Sequence, residues 1–370
     1  MTKAAELAKM GEVLTNSQIG GRRNIVINGA MQVAQRGTSF NYTTTDAYSL
    51  DRFRIDVTGG DNSAGAFTLT QADVTDLPGF TKAMKFDVTT ADTSIAAGEA
   101  LNLSYRIEGQ DLQQLKKGTS EAEKFTISFY VKGTAKTYAL EILDIDNNRM
   151  NHQTFGVTTS WNRVVLTFDG DTTGALDNNN ERSLDLNFWF HAGSTYAGGT
   201  MATGWGTSSG TNANRAAGIG SLYSSTDNEL FITGLQMELG SQATPFEHAS
   251  SFGETLALCQ RYCQVRIGSE SSNGTNSQLG YGNARSSTQA FFQDRLQVKM
   301  RVPPSLTVVS PTNFYLYQTS AIATTALAID ISDVNTMMLV ATVSGGLTSP
   351  TFHTLGTNNA TAQVIYSAEL

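Results

Sequence analysis

Between Leu101 and Ile107 every second side chain is apolar: Leu101, Leu103, Tyr105 and Ile107 alternate with Asn102, Ser104 and Arg106. The same period returns where Phe125, Ile127, Phe129 and Val131 oppose Thr126, Ser128 and Tyr130. Successive side chains of a strand point to opposite faces, so this period describes ribbons with one dry face and one wet face. Dry faces must meet, which leads to two packed antiparallel sheets. Strands are predicted at 24–28, 51–57, 66–71, 83–88, 101–108, 124–132, 138–144, 161–168, 184–191 and 230–239. The one helical insertion among them is DLQQLKK at 111–117, with Leu112 and Leu115 three residues apart. Many strands with one short helix is the content of a jelly roll.

The stretch 229–264, ELFITGLQMELGSQATPFEHASSFGETLALCQRYCQ, ends this region and opens another. Phe231, Leu235, Met237 and Leu239 are read onto one strand face, with Ile232, Gln236 and Glu238 on the other, and the strand stops at Gly240. After Pro245 the spacing turns helical through Phe252, Leu256, Cys259 and Tyr262, and Ser250 or Ser251 followed by Glu254 reads as a helix start. Cys259 and Cys263 then share a helix face, where the geometry for a disulfide is poor. They are expected as buried thiols, and His248 alone does not complete a metal set with them. Further strands are predicted at 288–300, 305–310, 313–318, 322–329, 337–343 and 362–368, with Pro303 and Pro304 marking a corner. The organisation is an N-terminal segment 1–22, a sandwich domain 23–248, a connecting helix 249–264 and a C-terminal β-domain 265–370. In the first segment Ala4, Leu7, Gly11 and Leu14 suggest a helix too short to stand alone. It must dock on a sister copy or partner, or fray.

Charged residues make up 16% of the 370 residues, against roughly 25% in an average soluble domain. Net charge is -8, and no basic cluster exceeds the pairs Arg22-Arg23 and Lys116-Lys117, which argues against nucleic acid or an anionic membrane as partner. No run approaches the roughly 20 apolar residues of a membrane helix, and the opening MTKAAELAKMGEV lacks a signal-peptide core, so synthesis and assembly in a cytoplasm are expected.

The words ITGLQMELGSQATPFEH and LALCQRYCQ resemble a junction in tail-fibre-like structural proteins of tailed bacteriophages, particularly phages of marine bacteria. NIVINGAMQVAQRGTS, DRFRID, RIEGQDLQQL, FTISFYVKGT and VKMRVPPSLTV extend the resemblance over most of the chain. It implies a virion protein, tail-associated, whose jelly roll resembles carbohydrate-binding modules. It also implies attachment to other virion proteins through the N-terminus, and a homotrimer.

Catalytic patterns are lacking. His152, His191, His248 and His353 fall in four separate places, with no nucleophile elbow, zinc-protease motif, phosphate-binding loop or dinucleotide fingerprint. Glu141, Asp185 and Glu238 are expected to be solvated face residues rather than a glycosidase pair. The sharper expectation is sugar binding. In LDLNFWFH, Leu184, Leu186, Phe188 and Phe190 take the core face and leave Asp185, Asn187, Trp189 and His191 on the other. An indole beside amide and carboxylate groups offers a stacking surface with paired donors and acceptors. Tyr130 lies on the non-core face of its strand, and Tyr196, Trp205 and Tyr223 decorate the long Gly/Ser-rich stretch between His191 and Glu229. The competing expectation is that Trp189 packs beneath that stretch. Trp161 is read as structural. Asp169, Asp171, Thr173 and Gly174 begin like a calcium loop, to which Asp144 and Asp146 could add oxygens, but position twelve is Asn180 and Glu181 comes one residue late. Turn-making explains the same residues, so no cofactor is expected, with structural calcium as the lesser alternative.

These readings predict an all-β chain: an antiparallel jelly-roll β-sandwich, a short helix and a smaller C-terminal β-domain. The expected function is that of a non-enzymatic tail fibre or appendage subunit touching host-surface glycan. The alternative is a decoration or adaptor protein with a purely structural role.

Overall fold

The computed structural model describes residues 3, 22–43, 46–58, 65–267, 277–357, 359 and 361–370. Nearly all of the predicted N-terminal segment 1–22 lies outside them. The chain divides into two compact units, Met1–Thr255 with Leu370, and Leu256–Glu369.

The first unit is the antiparallel jelly-roll sandwich. Its six-stranded sheet runs β1 (Ser39–Tyr42), β4 (Ala66–Asp73), β5 (Lys82–Thr90), β13 (Glu229–Leu239), β7 (Phe125–Gly133) and β10 (Asn162–Phe168). The seven-stranded sheet runs β12 (Gly206–Thr207), β9 (Arg149–Val157), β8 (Lys136–Asp144), β11 (Arg182–Ala192), β6 (Ala100–Glu108), β3 (Phe53–Thr58) and β2 (Ala47–Tyr48). Between the sheets lie the residues that the alternation assigned to the dry faces, among them Leu101, Leu103, Tyr105, Ile107, Ile127, Phe129, Val131, Leu186 and Phe188. Phe129 stands edge-on to Phe155 and Phe188, each at 5.1 Å, which joins β7 of one sheet to β9 and β11 of the other.

Three local expectations are corrected. Residues 24–28 are not a strand; Asn28 is left-handed at φ 61°, and its side chain bonds Val33 and Asp51 instead of a ladder. DLQQLKK is not a helix but two 3-10 turns, stopped where Lys116 turns left-handed. In β13 the pairing with β7 slips between Thr233 and Gln236, so Leu230 and Ile232 face the core before the bulge and Leu235 and Met237 after it. Phe231 therefore points outward against Val74, Phe80 and Trp161. Gly234, at φ 64°, makes the bulge, since that backbone conformation costs other residues about 1–2 kcal/mol.

Helix Phe252–Gln260 starts as expected: Ser251 Oγ accepts the Glu254 amide, and the Glu254 carboxylate accepts from Ser250. It ends before Cys263, which opens β14 (Cys263–Ile267), so the two cysteines do not share the helix; both are buried. In the second unit β14 joins a three-stranded sheet with β22 (Gln363–Ser367) and β17 (Ser305–Val309). Beside it a closed barrel runs β15 (Ser277–Ala284), β16 (Gln289–Arg295), β20 (Thr336–Val343), β19 (Ala321–Ser332), β18 (Phe314–Tyr317) and β21 (Phe352–Thr357).

Candidate functional site

The outer face of the seven-stranded sheet carries the residues singled out for sugar binding. Ladder register sets His152 (β9), Glu141 (β8), Asn187 (β11), Ser104 (β6) and Arg54 (β3) in one row. The next row brings Ala139, Trp189, Asn102 and Asp56 together. Trp189, Asn187 and Asp185 thus share the non-core face, as their alternation requires, whereas the ladder to β6 slips between Trp189 and His191, pairing His191 with core-facing Leu101 and setting it 5.0 Å from the core ring of Tyr223.

Access is where the expectation fails. The segment after β11 folds back over this face through α1 (Ser194–Ala197) and a 3-10 turn at Asn212–Asn214, while a further 3-10 turn at Leu222–Ser224 packs into the core instead. Tyr196 lies 5.3 Å from the Trp189 ring, and Ala216, Met201 and Ile219 complete the same apolar cluster. The covering segment also delivers Arg215, whose guanidinium sits 5.0 Å from the centre of the Trp189 ring. It grips Glu141 with Nε to Oε1 at 2.6 Å and an NH2 group to Oε2 at 2.7 Å. Glu141 Oε2 also accepts from Asn187 Nδ2 at 3.1 Å and Trp189 Nε1 at 3.2 Å. Arg215 occupies both the stacking surface and the acceptor that a sugar ring would use. Trp189 keeps 1% of its surface and Asp185 and His191 none, so these are interior positions. Glu141, Asp185 and Glu238 are likewise buried rather than solvated. Each has a partner: Arg215 for Glu141, Arg182 for Asp185, and Gln236 with Thr244 for Glu238. Isolated buried charge is so costly that such partners are required.

The remaining aromatic candidates are not brought to this face. Tyr130 belongs to the six-stranded sheet and packs on Phe80 at 5.1 Å, on the opposite outer side of the sandwich. Trp205 closes the core edge beside Phe125, donating Nε1 to the Asp169 carbonyl at 2.7 Å. Tyr223 is a core residue. Trp161 packs on Phe231 and donates to Asp76 at 2.8 Å.

Of the oxygens considered for calcium, Asp144, Asp171, Thr173 and Gly174 do converge, but around an ammonium. Lys117 Nζ lies 2.5 Å from Asp144 Oδ2, 3.0 Å from Asp171 Oδ2 and 2.9 Å from each of the Thr173 and Gly174 carbonyls. Asp171 also binds Arg149 at 2.6 Å. Burial alone would raise Asp171; Arg149 and Lys117 outweigh it and hold the carboxyl below the usual range. Asp169 stands apart, exposed, on Lys124, and Asp146 accepts the Asp177 amide.

A second cluster was not foreseen. Asp92 and Glu99, in the connection from β5 to β6, approach His191 near the end of β11, and their ligand-type atoms lie within 4.8 Å of one another. All three side chains are buried. Only His191 signalled itself in the sequence, since two carboxylates seven residues apart in a Gly/Ala/Ser-rich turn look like surface residues.

On the outside of the barrel Tyr281 and Phe352 are each more than half exposed, with near-parallel rings 5.8 Å apart. Asn283 is the ladder partner of Phe352, and Tyr281 donates its hydroxyl to Gln278. Tyr317 pairs with Thr354, which pairs with Tyr281, so aromatic residues of β18, β21 and β15 share one face. Strands β15 and β21 were missed because SQLGYGNA and FHTLGT put their aromatics outward and interrupt the apolar alternation with glycine.

No family model matches the chain, and no characterised relative matches it by sequence. Among solved structures it is similar to the enzymatically active domain of tailspike protein 4 of bacteriophage CBA120, at 15% identity and a TM-score of 0.30. That match covers 58% of this chain and 21% of the tailspike chain. A family 61 carbohydrate-binding module in complex with β-1,4-galactotriose matches at 11% identity and a TM-score of 0.31, over 59% of this chain and all of the module. A family 11 module from a cellulosomal cellulase of Clostridium thermocellum matches at 11% and 0.28, over 56% and 98%. Similarities of this size assign neither ligand nor activity; the sandwich stands on its own strand order.

Proposed function

We propose that the chain is a non-enzymatic phage virion protein, a tail fibre or appendage subunit, that meets host-surface glycan through the outer aromatic face of its barrel. The observation that carries the glycan reading is the stacked, exposed pair Tyr281 and Phe352 with amides at its border. Neutral rings beside amide donors and acceptors match the apolar faces and hydroxyls of a sugar. The jelly-roll face has similar chemistry, but Arg215 fills it. The virion reading rests on the resemblance of the sequence to tail-fibre-like proteins, which also suggests a homotrimer. Three linked copies would raise weak glycan contacts by effective concentration.

The test is binding of the full chain to host cells and to their envelope polysaccharide, with Tyr281→Ala/Phe352→Ala as the variant. Exposed substitutions leave stability within about 0.5 kcal/mol. Loss of two stacking surfaces should weaken binding about tenfold or more. Unchanged binding by the folded variant removes the glycan site from this face, and new reducing ends in the polysaccharide would make the protein an enzyme. The second reading, an adaptor or decoration protein, is favoured by closure of the jelly-roll face by the chain itself. Gold-labelled antibody against the C-terminal unit separates the two: label at the far end of tail appendages supports adhesion, and label over head or collar supports assembly.

A further inference from the structure

We propose that Asp92, Glu99 and His191 form a binding site for one divalent transition-metal cation of the Zn2+ class. His191 Nε2 lies 3.7 Å from Glu99 Oε2 and 4.0 Å from Asp92 Oδ2. Asp92 Oδ2, Glu99 Oε1 and His191 Nε2 have no hydrogen-bond partner, although each residue keeps 3% of its surface or less. Unpaired buried carboxylates cost several kcal/mol each. Among the described residues no Lys or Arg forms an ion pair with either one.

Asp92 and His191 are each aimed by their other polar atom, and Glu99 by Oε2, the same oxygen that stands 3.7 Å from His191 Nε2, which leaves its Oε1 without a partner. Ser94 N donates to Asp92 Oδ1 at 3.0 Å, Ala96 N donates to Glu99 Oε2 at 2.8 Å, and His191 Nδ1 bonds Ser221 Oγ at 2.8 Å. Outer contacts of this kind fix the orientation and tautomer of metal ligands. A neutral His191 donating Nδ1–H to Ser221 leaves the Nε2 lone pair directed at the carboxylates. Tetrahedral ligands about 2.1 Å from Zn2+ stand about 3.4 Å apart. The observed separations are a few tenths of an ångström wider, as carboxylates without a cation between them would be. The imidazole favours a transition metal over Ca2+ or Mg2+, which take oxygen ligands. A divalent ion with two carboxylates leaves no net charge in the interior. It would also tie the β5–β6 connection to β11, and through Ser221 to the segment covering Trp189. The competing occupant is a single proton shared between Asp92 and Glu99.

The test uses the full chain, stripped with chelator and titrated with ZnCl2, MnCl2 and CaCl2 by calorimetry, with Tm followed in parallel. One Zn2+ per chain is expected, with a rise in Tm that chelator reverses. Asp92→Asn/Glu99→Gln keeps shape and removes both charges, and its Zn2+ affinity should fall by more than about 100-fold, beyond the cost of an outer partner. Should that variant not fold, Co2+ substitution of the wild-type chain decides. Intense d–d absorption of a low-coordinate site supports the proposal, and the spectrum of hydrated Co2+ overturns it. A stripped chain that binds no metal, that binds Ca2+ alone, or whose variant retains full Zn2+ affinity overturns it as well.

Discussion

Lys117 Nζ lies 2.5 Å from Asp144 Oδ2, and both side chains are all but excluded from solvent. The ammonium completes an oxygen cage that also holds Asp171 and two main-chain carbonyls. Removing one partner of a buried ion pair costs about 3–5 kcal/mol, and Lys117→Met should lose that much in urea unfolding. Lys117→Met/Asp144→Asn should recover part of the loss. A Lys117→Ala chain should gain stability from millimolar CaCl2 that the wild type does not, because four oxygens then face a void. Equal calcium response in both proteins would show that the cage is not vacated.

Arg215 is predicted to hold the cover of the seven-stranded sheet closed. Arg215→Ala leaves Glu141 buried with only its Asn187 and Trp189 donors, and a loss of about 3–5 kcal/mol is expected. Acrylamide quenching of tryptophan fluorescence should rise as Trp189 gains solvent. Glu141→Gln/Arg215→Met should lose less than the sum of the single changes, with a coupling of about 0.5–3 kcal/mol. Additive losses would mean that the pair does not act as a clamp.

His152 should contribute to acid sensitivity. Burial lowers its imidazole below the ordinary value of 6.5, with the Glu141 carboxylate opposing and the Arg215 guanidinium assisting. An unfolded chain binds the proton near pH 6.5 while the folded chain does not, so stability falls as pH drops below that value. Unfolding midpoints from pH 7 to pH 5 should decline less steeply in His152→Gln. An unchanged slope would clear His152 of any part in it.

Gly234 is predicted to be irreplaceable in β13. A Cβ there would stand 2.8 Å from the Phe80 ring and 2.9 Å from Tyr130, on a backbone at φ 64°. Gly234→Ala should cost at least about 1 kcal/mol from backbone strain alone. A neutral result in urea unfolding would show that the bulge can move.

Where one face of a strand was greasy and the other polar, the sequence spoke clearly, as in Leu101–Ile107 and Phe125–Val131. β9 was illegible because RMNHQTFGV mixes polar groups onto both faces, with His152 buried beneath the cover. Alternation placed Trp189 on the right face yet says nothing about what lies over it. That depended on Arg215 reaching Glu141 across 74 residues of chain. Asp92 and Glu99 were equally silent, since their meeting with His191 exists only in three dimensions. In β13 a single glycine moved Phe231 to the other side, which a strict two-residue count cannot foresee.

In the barrel, β21 pairs with β15 on one side and β18 on the other, so its ring of six strands has no free edge. Open strand edges template the growth of sheets from one molecule to the next. At high concentration, copies of one protein meet one another repeatedly. Ring closure lets such copies jostle barrel to barrel without fusing into a common sheet.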